Sequence, residues 1–128
     1  MKYIKPYLVF TVLVWLPWGL VCVFDITVIA DIIGVTGVTA SGNSDLRAMY
    51  GGVQTAVGLM AALALYDTRF FPNLLFTLAI LGGCLALSRS YGLYVDDSGT
   101  AYTWGVLAYE YFAAISSVLW LRFLERSV

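Results

Sequence analysis

The chain has 128 residues, 61% of them hydrophobic and only 12% charged, and its mean hydropathy is +0.86. A soluble domain carries about a quarter charged residues, so this balance points to an integral membrane protein. A net charge of −1 with seven basic residues argues against a nucleic-acid footprint; the absence of histidine removes the commonest metal ligand, the haem ligand of most cytochromes and the usual general base.

Lys2 and Lys5 precede an apolar run from Tyr7 to about Phe24, interrupted by Pro17. The run exceeds a signal-peptide core of about 7–15 residues. It reaches spanning length, which is about 17–25 residues. An uncleaved first span over about 7–25 follows, kinked at Pro17, where one backbone donor is missing. Residues 26–40 are rich in Ile, Val and Thr with glycines at 34 and 37. That composition leans toward extended structure or a short interfacial segment, or lets the first helix run on. Gly42-Asn43-Ser44-Asp45 supplies turn residues, with Ser44 or Asp45 as cap of a second span over about 45–66.

Asp67-Thr68-Arg69 reads as a tight charged turn, and Pro72 suits the start of a third span over about 73–94. Arg89 lies inside that span, about 7 Å short of its end at the helical rise. After the polar loop Asp96–Thr100, a fourth span covers about 102–122, with Glu110 about 12 Å into it. Short connections make successive helices antiparallel neighbours. The expected fold is all-α: an integral membrane four-helix bundle, one domain over residues 1–128, without an internal repeat.

Orientation follows from the basic residues. With four spans, Lys2, Lys5, Arg69, Arg122 and Arg126 share one side, while the other keeps Arg47 and Arg89 among Asp25, Asp31, Asp45, Asp96 and Asp97. The positive-inside rule then puts both termini in the cytoplasm. Tyr66, Phe70, Phe71 and Trp120 fit one aromatic belt; Tyr91, Tyr94, Tyr102 and Trp104 fit the other. Cys22 and Cys84 lie in separate runs with no CxxC, so they read as buried small apolar side chains.

The chemistry concentrates at the mouth of the second span. Arg47, Tyr50, Gln54 and Gly58 fall on one helical stripe, and Ala48, Gly52 and Ala56 on a second stripe of small residues that admits a neighbouring backbone. The topology puts Arg47, Arg89 and Glu110 in the outer leaflet, with Asp25 and Asp45 level with them and Tyr50, Gln54 and Tyr91 able to add hydroxyls and an amide. Glu110 shares its face with Thr103, Ala113, Ala114 and Ser117. Gly51, Gly52, Gly58, Gly82 and Gly83 are the packing glycines. Two readings of the cluster stay open. It pins helices together, or it holds an anionic group whose oxygens match the guanidinium fork.

An Arg-x-x-Tyr-Gly-Gly at Arg47–Gly52, an arginine late in the third span, an acidic-Gly loop and a short four-span chain resemble the domain-of-unknown-function family numbered 4345. That family is similar to the broader DoxX-like group of small bacterial membrane proteins. The likeness rests on Asp45, Arg47, Tyr50, Gly51, Gly52, Arg89 and Gly99; Ser98, between Asp97 and Gly99, departs from the pattern. It implies a multi-pass four-helix fold in a bacterial inner membrane and supplies no activity. Some DoxX-like relatives are tied to quinone-linked sulfur oxidation, for which this sequence offers no redox centre.

The expected function is non-catalytic: binding a lipid or other lipophilic anion, or serving as accessory subunit of a membrane complex, through the Arg/Glu/Tyr cluster. The alternatives are a small transporter or channel acting as an oligomer, and a subunit of a quinone-linked redox enzyme. A transporter wants broken helices or paired repeats, and only Pro17 hints at one. An enzyme wants a nucleophile–base pair or a metal set, which the composition does not offer. No metal or other cofactor is expected. The expected partners are membrane lipid and a second copy or a membrane partner protein.

Overall fold

The computed structural model describes residues 3–97 and 99–126; Lys2 and Ser98 lie outside them. Every element among these residues is helical: α1 (Ile4–Phe24), α2 (Thr27–Ile33), α3 (Ala40–Leu46), a π-helical turn (Arg47–Gly52), α4 (Val53–Tyr66), a 3₁₀ turn (Thr68–Phe70), α5 (Phe71–Asp96) and α6 (Ala101–Glu125). Four stretches are long and apolar enough to cross a membrane: Ile4–Phe24, Ala40–Tyr66, Thr68–Asp96 and Ala101–Glu125, with mean hydropathies of 2.1, 1.4, 2.0 and 1.3. The outward faces are apolar too: Leu13, Leu63, Leu87 and Phe112 are all more than half exposed, as lipid-facing side chains are. This is a multi-pass membrane protein. The chain forms two compact units, Met1–Phe71 and Pro72–Val128.

In the first unit α1 pairs with α4 and the π turn, and glycines set the approach. A Cβ on Gly58 would stand 2.6 Å from Leu16 Cβ, one on Gly19 2.4 Å from the Thr55 nitrogen, and one on Gly51 2.5 Å from Val23 Cγ2. The partners run 16, 19, 23 against 58, 55, 51, so the helices are antiparallel. The two backbones are close enough that a larger residue at any of the three positions would push them apart. Thr55 Oγ1 is buried in this seam without a hydrogen-bond partner among the described residues. Tyr7 meets Phe71 edge-on at 6.3 Å. Phe71 is therefore buried and no member of an interfacial belt, whereas Tyr66 and Phe70 are exposed.

Two expectations about residues 26–44 change. Residues 27–33 are helical, not extended, and they do not continue the first helix: Asp25 breaks it in an extended conformation, and α2 follows until Gly34 ends it in the left-handed region at φ 81°. The second span begins at Ala40, ahead of the expected cap. Thr39 is the cap, its hydroxyl accepting the Gly42 amide at 3.1 Å, so Ser44 and Asp45 lie inside α3. The turn before it folds back tightly. A Cβ on Gly37 would stand 2.5 Å from the Asn43 nitrogen, a contact only glycine allows.

The second unit is the pair α5 and α6. Pro72 sits in the first turn of α5, where its missing N–H is harmless. Thr100 caps α6 by accepting the Thr103 amide at 3.2 Å. A Cβ on Gly82 would meet the Glu110 carbonyl oxygen at 3.2 Å and the Ala114 nitrogen at 3.4 Å, so this glycine lets α6 lie close. The inward stripe of α6 is Leu107, Glu110, Ala113, Ala114 and Ser117, with Thr103 half-buried. Both cysteines are free. Cys22 is buried as expected of an apolar thiol, but Cys84 is exposed on the outward face of α5.

Candidate functional site

Arg89 and Glu110 meet within the second unit. The guanidinium donates from Nε to Glu110 Oε2 at 3.0 Å and from Nη2 to Oε1 at 2.8 Å, a two-point fork on one carboxylate. Glu110 is 5% exposed and Arg89 28%, so one charge is buried and the other reaches the rim. A second rung lies beside the first. Ser90 Oγ and Tyr111 Oη are 3.0 Å apart, and Ser90 also donates to the Ala86 carbonyl at 2.8 Å. Ser90 and Tyr111 are the chain neighbours of Arg89 and Glu110, and neither is among the residues expected from the sequence. Adjacency to the charged pair on two antiparallel helices was the signal available. Tyr91, expected to supply a hydroxyl to the cluster, instead points outward and is 69% exposed.

Next to these rungs α5 and α6 leave an open groove of about 330 Å³, lined by Gly83, Leu87, Tyr111, Ala114, Ile115, Val118 and Leu119. Gly83, expected to pack, instead floors this groove, and a Cβ added to it would meet nothing within 4 Å. The groove presents apolar surface throughout, which suits hydrocarbon and offers nothing to orient a polar ligand.

Arg47 belongs to the first unit, in the first position of the π turn. That turn carries an i→i+5 bond from the Val53 amide to the Ala48 carbonyl, and such single turns recur at functional sites. Arg47 is half-buried, and its Nη1 donates to the backbone carbonyl of Val23 near the end of α1. Among the described residues of this unit no carboxylate reaches it at ion-pair distance. Thr27 holds the Asp25 carboxyl below its usual range, first through its hydroxyl and then through its amide, which donate to Oδ1 at 2.6 and 3.0 Å; the charge of Arg47 adds a smaller pull in the same direction. Asp45 is exposed on α3. Tyr50 and Gln54 are half-buried, and neither is bonded to Arg47 within the unit. Gly51 and Gly58, not the Ala48, Gly52 and Ala56 stripe, take the close contact. Gly52 is open, because the π turn places its neighbour Gly51 against α1.

Among the described residues no three His, Cys, Asp or Glu side chains gather as a metal set. With two arginines placed at helix positions 47 and 89, and the Arg-x-x-Tyr-Gly-Gly turn between α3 and α4, the family comparison decides the kinship. The model of the domain of unknown function DUF4345 matches residues 4–121. The chain belongs to the DUF4345 family. Comparison with curated proteins and with solved structures finds no match. The matched span of this DUF4345 protein takes in Arg47, the π turn, Arg89 and Glu110.

Proposed function

We propose that this DUF4345 protein is a non-catalytic membrane protein that binds an amphiphile through its anionic group, and that Arg47 holds that group. The observation behind the reading is the contrast between the two arginines. Arg89 is closed by a carboxylate, whereas Arg47 has only a carbonyl from its own unit and keeps most of its five donors for something else. A guanidinium with no ion-paired carboxylate in its own unit keeps its donors open, and an anionic ligand satisfies them. The Arg89–Glu110 fork then acts as the fastening of α5 to α6.

The same reading makes the protein a bacterial inner-membrane protein with both termini cytoplasmic, supported by the basic residues Lys5, Arg69, Arg122 and Arg126. Arg47 then lies toward the outer leaflet. A DoxX-like kinship is part of this proposal, supported by the count of four span-length helices, and it brings no activity with it. The test is the thermal midpoint of the purified, delipidated chain in detergent, with and without an anionic amphiphile such as phosphatidylglycerol or a long-chain fatty acid. Stabilisation of the native chain and its loss in Arg47→Gln support the reading; equal stabilisation of both proteins defeats it.

A further inference from the structure

The first unit holds a second charge beside Arg47, and the two have not closed on each other. Asp25 is clamped through one oxygen only: Thr27 donates its amide and its hydroxyl to Oδ1, and Oδ2 has no hydrogen bond among the described residues. Arg47 is clamped through one nitrogen, Nη1, to the carbonyl of Val23, two residues before Asp25. Asp25 is held by its sequence neighbour Thr27 and Arg47 by the Val23 carbonyl across the seam, leaving one open acceptor and an open set of donors at the same end of α1. The flanking residues are apolar and unprotected: Phe24 is 80% exposed and Met49, in the π turn, is 64% exposed.

We propose that this end of the first unit is a site for a zwitterionic phospholipid headgroup, the phosphodiester on Arg47 and the ammonium on Asp25 Oδ2. The inference rests on the reading of Arg47 as the holder of an anionic group and names that group's chemistry. Phosphodiester oxygens fit the planar guanidinium fork. A purely anionic headgroup would bring its charge against Asp25 with no compensation, and like charges side by side are penalised. An amine on the same headgroup turns that repulsion into an attraction. The position suits a lipid because the charged pair lies at the end of a span, where headgroups sit, while Phe24 and Met49 offer apolar surface to the acyl chains.

The test uses the full chain, delipidated in a maltoside detergent, and reads the thermal midpoint against increasing ligand. The probes are short-chain phosphatidylethanolamine, short-chain phosphatidylglycerol, soluble phosphoethanolamine and inorganic phosphate. Phosphatidylethanolamine is expected to half-saturate at a concentration on the order of tenfold lower than phosphatidylglycerol, the size of one charge-assisted hydrogen bond. The two soluble probes are expected to have no effect at the same concentrations. Arg47→Gln is expected to remove the phosphatidylethanolamine response, and Asp25→Asn to bring the two lipids level.

Phosphatidylglycerol binding as tightly as phosphatidylethanolamine to the native chain overturns the ammonium site while leaving the reading of Arg47 intact. That comparison needs no variant, so a poorly folded Asp25→Asn does not blunt it. Phosphoethanolamine or phosphate acting as well as the lipid makes the source a soluble anion and overturns the lipid assignment. Failure of every amphiphile to depend on Arg47 removes both this inference and the reading it rests on.

Discussion

Two arginines of the same type meet opposite fates, and the difference lies in what faces each of them. Arg89 sits opposite a carboxylate that α6 buries on its inward stripe, so the pair neutralises itself and binds two helices together. Removing one member leaves the other charged and without its partner, at a cost of roughly 3–5 kcal/mol for a buried pair. Glu110→Gln is therefore expected to lower the thermal midpoint strongly, and the double variant Arg89→Gln with Glu110→Gln to recover much of the loss. A double variant no more stable than the sum of the single losses would show that the two side chains do not act as a pair. That Arg89 and Glu110 would seek each other was legible in the sequence, because opposite charges inside spans have few alternatives. The carbonyl of Val23 as partner of Arg47 was not, since backbone acceptors leave no mark on residue type.

At the scale of elements, the seam between α1 and α4 depends on glycines at 19, 51 and 58, where the facing backbone leaves no room for a side chain. Gly58→Leu is expected to disrupt the first unit, with a loss of more than about 2 kcal/mol from overpacking, while Gly52→Leu stays near neutral because that position is open. Comparable melting of the two variants in detergent would contradict the seam. A plain 3.6-residue count puts Ala48, Gly52 and Ala56 on one stripe, but it cannot foresee a π turn, which adds a residue and shifts what lies above it. The four spans were legible from hydropathy alone. The early start of α3 was not, because it depends on Gly37 folding back against Asn43, a contact between residues whose types each merely suggest a turn. The turn at Asp67 carries a pH signature. Arg69, first through its side chain and then through its amide, holds the Asp67 carboxyl below its usual range. A depressed carboxylate contributes stability that is present above its unfolded value, about 3.9, and lost as pH falls through the lower folded value. The stability difference between the native chain and Asp67→Asn is expected to fade below that pH and to shrink with salt; a difference unchanged down to pH 3 would refute the role of the pair.

For the whole molecule the question is which leaflet each charged residue meets. Reporters fused after Val128 and within the Asp67–Arg69 turn are both expected to read cytoplasmic, because the proposed four-span topology collects Lys5, Arg69, Arg122 and Arg126 on that side. A periplasmic reading from the C-terminal fusion would reverse the assignment of Arg47 to the outer leaflet. Membrane class and family membership rest on properties spread along nearly the whole chain, and so were readable from it; the bound molecule depends on a few atoms near Arg47. Native mass spectrometry of the protein released directly from its membrane tests the central claim most directly. The account predicts a phospholipid adduct on the native chain and on the Arg89→Gln, Glu110→Gln double variant, and its loss from Arg47→Gln. An adduct that survives in Arg47→Gln, or none on the native chain, would contradict it.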